Sequence, residues 1–178
     1  MPTIEDVKRR LSDATTTKVF FVDLNGRVMS LPINPEKIER FLETGLGFDG
    51  SSIAGYASVE SSDRILIPDP ESFRLVPFQD EQLGFFIGHI YNEQGRRSRT
   101  DPRAVLEKVV AQAENEFNAR FTAGPEHEFF LLNGTDWSDG IHTDKAGYFH
   151  PTPHDRGEAV RNEIIAILAA CGIRFEKA

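Results

Sequence analysis

The chain has one cysteine, Cys171. A lone thiol excludes an intramolecular disulfide and any zinc site built on several thiolates. Its place on the apolar side of "AVRNEIIAILAACG" assigns it to packing. The five histidines are poor metal ligands as well, because His150 and His154 are separated by "PTP", which cannot form the helix that would bring them onto one face. Excess positive charge is absent: 20 Lys and Arg stand against 28 Asp and Glu, a net charge of −8. That balance opposes general attraction to nucleic acid or to anionic lipid, and neither is expected as a partner. No apolar run reaches the ~18 residues of a membrane span. The N-terminus "MPTIEDVKRRLSDA" is charged and amphipathic, without a signal-peptide core. A soluble, cytoplasmic protein is the expectation.

Hydrophobic residues make up 39% of the chain and charged residues 27%, a composition that builds a packed core. Its 178 residues allow one sizeable domain, or a small domain and part of another. Ile4, Val7 and Leu11 predict a short first helix by their spacing. "KVFFVDLNGRVMSLPI" reads as two strands about the turn Asn25-Gly26. A helix over 35–44 follows, then a glycine loop. The prolines of "RILIPDPESFRLVPF" favour strand edges and turns, and "LGFFIGHIYNEQG" is a further strand. This is an α+β unit, and the polar stretch "NEQGRRSRTDPR" ends it near residue 100. A second unit, 101–178, opens with Asp101 as N-cap and Pro102 at the first helical position, ahead of an apolar stripe from Val105 to Phe117. "RFTAGPEHEFFLL" reads as a strand. Asp155 and Glu158 stand in capping-box relation before a last helix closed by Gly172. "IRFEKA" begins what reads as another strand, so this unit is expected to be a truncated one.

Within "ETGLGFDGSS", Gly45, Gly47 and Gly50 spell the formal fingerprint of a dinucleotide-binding loop. The flanks run the wrong way. In "NPEKIERFLETG" the glycines close a helix, whereas phosphate binding needs them to open one. Asp49, lying between Gly47 and Gly50 and followed by two serines, therefore needs another explanation.

Glu126 and Glu128 in "GPEHEFFLL" are two apart, and on a strand both carboxylates share one face with His127 opposite. Two readings stand. The pair is a solvated one, where repulsion costs little, or it enters a strand buried on both faces, as the run Phe129 to Leu132 implies, and needs a cation. Oxygen-only ligation selects Mg²⁺ or Mn²⁺ over zinc.

Four motifs now stand in order: "GFDGSS" at 47–52, "DPR" at 101–103, "GPEHEFFLL" at 124–132 and "KAGYF" at 145–149. In that order and spacing the chain resembles glutamine synthetases of the bacterial and archaeal type I, over essentially its whole length. The resemblance implies a small β-grasp-like N-terminal domain, followed from about residue 101 by the start of the family's catalytic domain, an antiparallel sheet with helices. It implies that Glu126 and Glu128 hold divalent metal, Mg²⁺ or Mn²⁺, that Asp49 takes a proton from ammonium, and that Ser52 and Tyr148 line the ammonium pocket. ATP is the implied co-substrate, with glutamate and ammonium as substrates and a γ-glutamyl phosphate as intermediate. A dodecamer of two hexameric rings is implied, with each site shared between neighbouring subunits.

The family's later segments, "HHEV"-like and "NGSG", and its phosphate- and glutamate-binding arginines are not in this sequence, and His150 after "GYF" departs from the expected pattern. The fragment alone is therefore expected to be inactive. Two alternatives accompany the reading: a γ-glutamyl-amine ligase with an organic amine acceptor, and a non-catalytic fragment that packs against full-length subunits.

Overall fold

In a computed structural model of the chain, residues 3–53, 55–78, 80–141, 147, 149–151 and 153–176 are described. Two compact units divide it, Met1–Phe121 and Thr122–Ala178.

The first unit is built by local signals that agree with one another. Helix α1 (Ile4–Leu11) starts at Thr3, whose hydroxyl accepts from the Asp6 N–H while Asp6 reaches back to the Thr3 N–H, a closed capping box. Its apolar positions Val7 and Leu11 are buried. Strand β1 (Thr16–Val22) buries every second residue, Thr17, Val19 and Phe21, as a half-covered strand must. Strand β2 (Val28–Pro32) returns antiparallel with Val22 opposite Val28. The connection is longer than a two-residue turn, because Asp23 Oδ1 accepts from both the Asn25 and Arg27 N–H groups, each at 2.8 Å, and organises five residues.

Asn34 Oδ1 accepts from the Glu36 N–H at 2.9 Å and starts a 3-10 turn, Pro35–Lys37, which runs into helix α2 (Ile38–Thr44). Gly45 ends that helix at φ 71°, and a Cβ there would lie 2.4 Å from Ile65 Cγ2, so only glycine fits. The glycine stretch beyond it is not all loop. Leu46–Asp49 forms strand β3, paired antiparallel with β4 (Asp63–Pro68). Residues 63–78 then run antiparallel to the twelve-residue β6 (Glu81–Asn92): β4 pairs with its second half and β5 (Arg74–Phe78) with its first, across a 3-10 kink at Pro70–Ser72. β1 pairs parallel to β6, completing a mixed six-stranded sheet in which β6 is central. Val19, Phe21, Ile38, Leu66, Phe73, Phe86 and Ile90 form the core between this sheet and the two helices.

Helix α3 (Pro102–Phe117) is fixed to this unit by its N-cap. Asp101 is 2% exposed. Its Oδ1 accepts from the Arg103 N–H at 3.0 Å, and its Oδ2 accepts from the Ile90 N–H of β6 at 3.1 Å and from Arg97. Around it, Arg97 and Arg103 join Glu107, Asp69 and His89 in one ionic cluster. His89 Nδ1 faces the Arg97 guanidinium at 2.6 Å and so accepts, which makes the ring neutral. Burial first, then the charges of Arg97 and Arg103, push its pKa below 6.5.

The second unit holds helix α4 (Glu158–Ala170), a 3-10 turn at Trp137–Asp139, and one bridge between Leu132 and Ile141. Gly172 (φ 73°) closes α4 with a Schellman motif, the Ile173 N–H donating to Leu168 O and the Gly172 N–H to Ala169 O. The helix opens differently from its sequence pattern. The Asp155 carboxylate accepts from the Gly157 N–H at 2.9 Å, from the Glu158 N–H and from Arg161, but the Asp155 N–H donates to Pro151 O, so the reciprocal half of a capping box with Glu158 does not form. Cys171 is half-buried. The strand expected at 120–132 does not form beyond the single Leu132–Ile141 bridge: residues 118–131 carry neither helix nor strand. A β-ladder needs a neighbour, and among the described residues none pairs there, so the apolar run Phe129-Phe130 is left exposed.

Candidate functional site

Asp49 ends β3 directly opposite Asp63 of β4. The backbone then turns into a 3-10 step, Gly50–Ser52, with Asp49 as its cap. Asp49 Oδ1 accepts from the Ser51 N–H at 2.9 Å and the Ser51 hydroxyl at 2.7 Å, and Oδ2 accepts from the Ser52 hydroxyl at 3.3 Å. Donation from the Ser51 hydroxyl first, then the Ser51 N–H, then Ser52 and Ser62, holds the carboxyl below the ordinary carboxylate range. Asp49 is thus ionised at neutral pH. Gly50 is required by proximity and not by a positive φ: a Cβ there would meet Arg64 Cγ at 2.7 Å and Ser62 O at 3.0 Å.

The carboxylate opens onto a hollow of about 520 Å³ whose lining includes Phe48, Asp49, Asp63, Arg64, Ile65 and Glu93. Three carboxylates stand there against one guanidinium, a local excess of negative charge. Each serine hydroxyl that donates to Asp49 keeps its oxygen lone pairs for an incoming N–H donor. Asp63 and Glu93 were not legible as site residues, because they reach the hollow through strand register and the β6 turn.

Asp49 and Ser52 are brought together as the sequence implied. Tyr148 lies outside the described residues. Glu126 and Glu128 sit in the second unit, both exposed and on no strand, so the shared-face argument loses its basis. Their oxygen donors suit a hard divalent cation, but two carboxylates do not close a coordination shell of ~6 oxygens. Among the described residues no group of three or more His, Cys, Asp or Glu is placed to hold a metal ion. No helix among them is long and apolar enough to cross a membrane.

Comparison with known proteins divides the chain earlier than the two compact units do, between residues 93 and 99. The family described as "Glutamine synthetase, beta-Grasp domain" matches residues 13–93, and "Glutamine synthetase, catalytic domain" matches 99–178. Glutamine synthetase of Methanococcus voltae is 34% identical over 168 residues, covering 88% of this chain. The chain spans 37% of the length of that relative. A cryo-EM structure of Plasmodium falciparum glutamine synthetase superposes with TM-score 0.70 at 20% identity, over 97% of this chain and 40% of that one, a likeness of fold. A structure titled "GmaS/ADP complex" gives TM-score 0.57 at 26% identity, over 65% of this chain and 26% of that one. These matches define an α+β protein with a β-grasp domain. The chain belongs to the glutamine synthetase family.

Proposed function

We propose that this chain carries the ammonium-handling part of an ATP-dependent glutamate–ammonia ligase, and the observation that carries the reading is the Asp49 carboxylate with its serine donors. Ammonium predominates near neutral pH and has no lone pair, so attack on an acyl carbon requires a base. Asp49, held ionised in an acidic hollow, attracts the cation and accepts its proton, which frees the nitrogen lone pair before the N–C bond forms. Ser51 and Ser52 orient it, and Tyr148 is proposed to complete the pocket. In the proposed sequence the γ-carboxylate of glutamate takes the terminal phosphoryl group of ATP, ADP leaves, ammonia attacks the acyl carbon and inorganic phosphate departs. Mg²⁺ or Mn²⁺, when bound at a site that includes Glu126 and Glu128, supplies charge neutralisation for the phosphoryl group. Because those two residues leave a shell incomplete, the 178-residue chain by itself is proposed to form no amide. The proposal includes domains at 1–100 and 101–178, self-association into a dodecamer of two hexameric rings, and a cytoplasmic setting.

A second reading takes an organic amine as acceptor, and the apolar Phe48 and Ile65 beside Asp49 favour it, since they suit an alkyl substituent. Competition between ammonium and methylamine on a full-length protein, with glutamate and ATP, separates the two. Glutamine as the main product supports ammonium, and the N-methyl amide as the main product replaces it with the second reading.

A further inference from the structure

Arg64 follows Asp63 on β4 and lines the hollow beside three carboxylates, Asp49, Asp63 and Glu93. It makes no ion pair among the described residues. Its terminal nitrogens bond main-chain carbonyls: Nη1 donates to Ser61 O at 3.1 Å and Asp63 O at 2.7 Å, and Nη2 donates to Tyr56 O at 3.0 Å, while Nε is buried without a partner among the described residues. Its stem presses on Gly50 closely enough to exclude any side chain there. The three carbonyls lie on the segment that leaves Asp49 and returns to Asp63. The same segment has further ties, among them the Thr100 hydroxyl donating to Tyr56 O at 3.3 Å and the Ser61 hydroxyl donating to Glu93 at 3.2 Å. The Gly50 N–H donates to Ser62 O at 2.8 Å, and Tyr56, 2% exposed, donates its hydroxyl to Val22 O of β1.

From this arrangement we infer that Arg64 is a positioning residue: its guanidinium holds the Tyr56 and Ser61 carbonyls together, a ring that fixes the Asp49 carboxylate against its serine donors. A flexible 13-residue excursion would otherwise leave Ser51, Ser52 and Ser62 free to turn to water. Only a planar fork reaches carbonyls on both sides of the ring at once. An ammonium is a point donor on a flexible stem and cannot span them. The inference deepens the ammonium reading and rests on it for its functional consequence, though the clasp itself is a statement about the fold.

Two variants test it, Arg64→Met, which keeps a stem against Gly50, and Arg64→Lys, which keeps the charge. In the 178-residue chain, amide hydrogen exchange over 50–62 and the Asp49 carboxyl titration are read by NMR, with protection in β1 and β6 reporting that the fold is intact. For Arg64→Met, exchange in the segment rises on the order of 10-fold, the scale expected on losing hydrogen bonds to a charged group, and Asp49 titrates closer to the ordinary carboxylate range. Arg64→Lys gives part of each change and keeps the test decisive if the methionine variant does not fold. In a full-length enzyme the same variants raise the KM for ammonium several-fold while the KM for glutamate holds. Unchanged exchange and an unchanged Asp49 titration in the folded variants overturn the clasp. An unchanged ammonium KM with loosened exchange overturns its positioning role. Failure of the ammonium reading shows elsewhere, as undiminished ammonia transfer in Asp49→Asn.

Discussion

The two units use similar raw material and reach opposite ends. In the first, apolar residues at strand and helix spacing meet across a sheet and two helices, and Val7, Val19, Leu66, Phe86 and Ile90 are fully shielded from water. In the second, helix α4 buries no side chain, and Phe129, Phe130, Trp137, Phe149, Ile173 and Phe175 are exposed. Gly157 is its one buried residue among those described. The outer face of α3, with Val105, Leu106, Val109 and Phe117, is exposed too. Hydrophobic patterning specifies a face, and it stabilises only when another element covers that face. The first unit contains both halves of its core, while among the described residues of the second the side chains patterned for burial stand exposed.

Core truncation sharpens this contrast most. Phe86, fully buried with its ring centroid 4.9 Å from that of Phe73, is expected to cost about 3–5 kcal/mol as Phe86→Ala. Phe130→Ala, at a side chain 69% exposed, is expected within about 0.5 kcal/mol of zero. Denaturant unfolding measures both, and equal losses would break the comparison. Next comes the N-cap that holds α3 to β6. Asp101→Ala strips a cap, leaves Arg97 short of its buried partner and orphans the Ile90 N–H, a loss of roughly 2–4 kcal/mol by the same measurement.

Smaller effects follow in the same unit. Thr17 is 4% exposed and its hydroxyl has no partner among the described residues, so Thr17→Val is expected to raise stability by about 1 kcal/mol. The smallest is a pH effect at His89. The folded state keeps this ring neutral between Arg97 and Arg103 on one side and Asp69 and Glu107 on the other, with Asp101 behind Arg97, whereas the unfolded chain protonates it at its ordinary 6.5. A depressed folded pKa contributes stability that is complete above 6.5 and is lost as pH falls toward the folded value. His89→Gln should flatten that acid decline, seen by following unfolding across pH.

Much of the first unit was legible because its signals are local. Asn34 with Pro35, and Asp101 with Pro102, each cap what they precede, and Gly45 ends what it follows. Strand β3 was read as loop because Leu46 to Asp49 is four residues with a glycine inside, and its identity as a strand comes from pairing with β4 across a 13-residue excursion. The opposite error occurred at 120–132, where the apolar run Phe129 to Leu132 without a neighbouring strand does not make a ladder. At the site, Asp49 and its serines were visible in one short motif. Asp63, Glu93 and Arg64 were not, since register and a chain reversal bring them there, and no spacing in the sequence encodes that distance.

The central claim is that Asp49 takes the proton from ammonium. Asp49→Asn keeps the size of the side chain and one acceptor oxygen but removes the base, so the two half-reactions of a full-length enzyme should separate. ADP formation with glutamyl phosphate is expected to persist, while transfer to ammonia falls by roughly 10²–10⁴-fold and is partly restored at higher pH, where free ammonia is supplied. Ammonia transfer unchanged in that variant, with the assembly intact, would contradict the account.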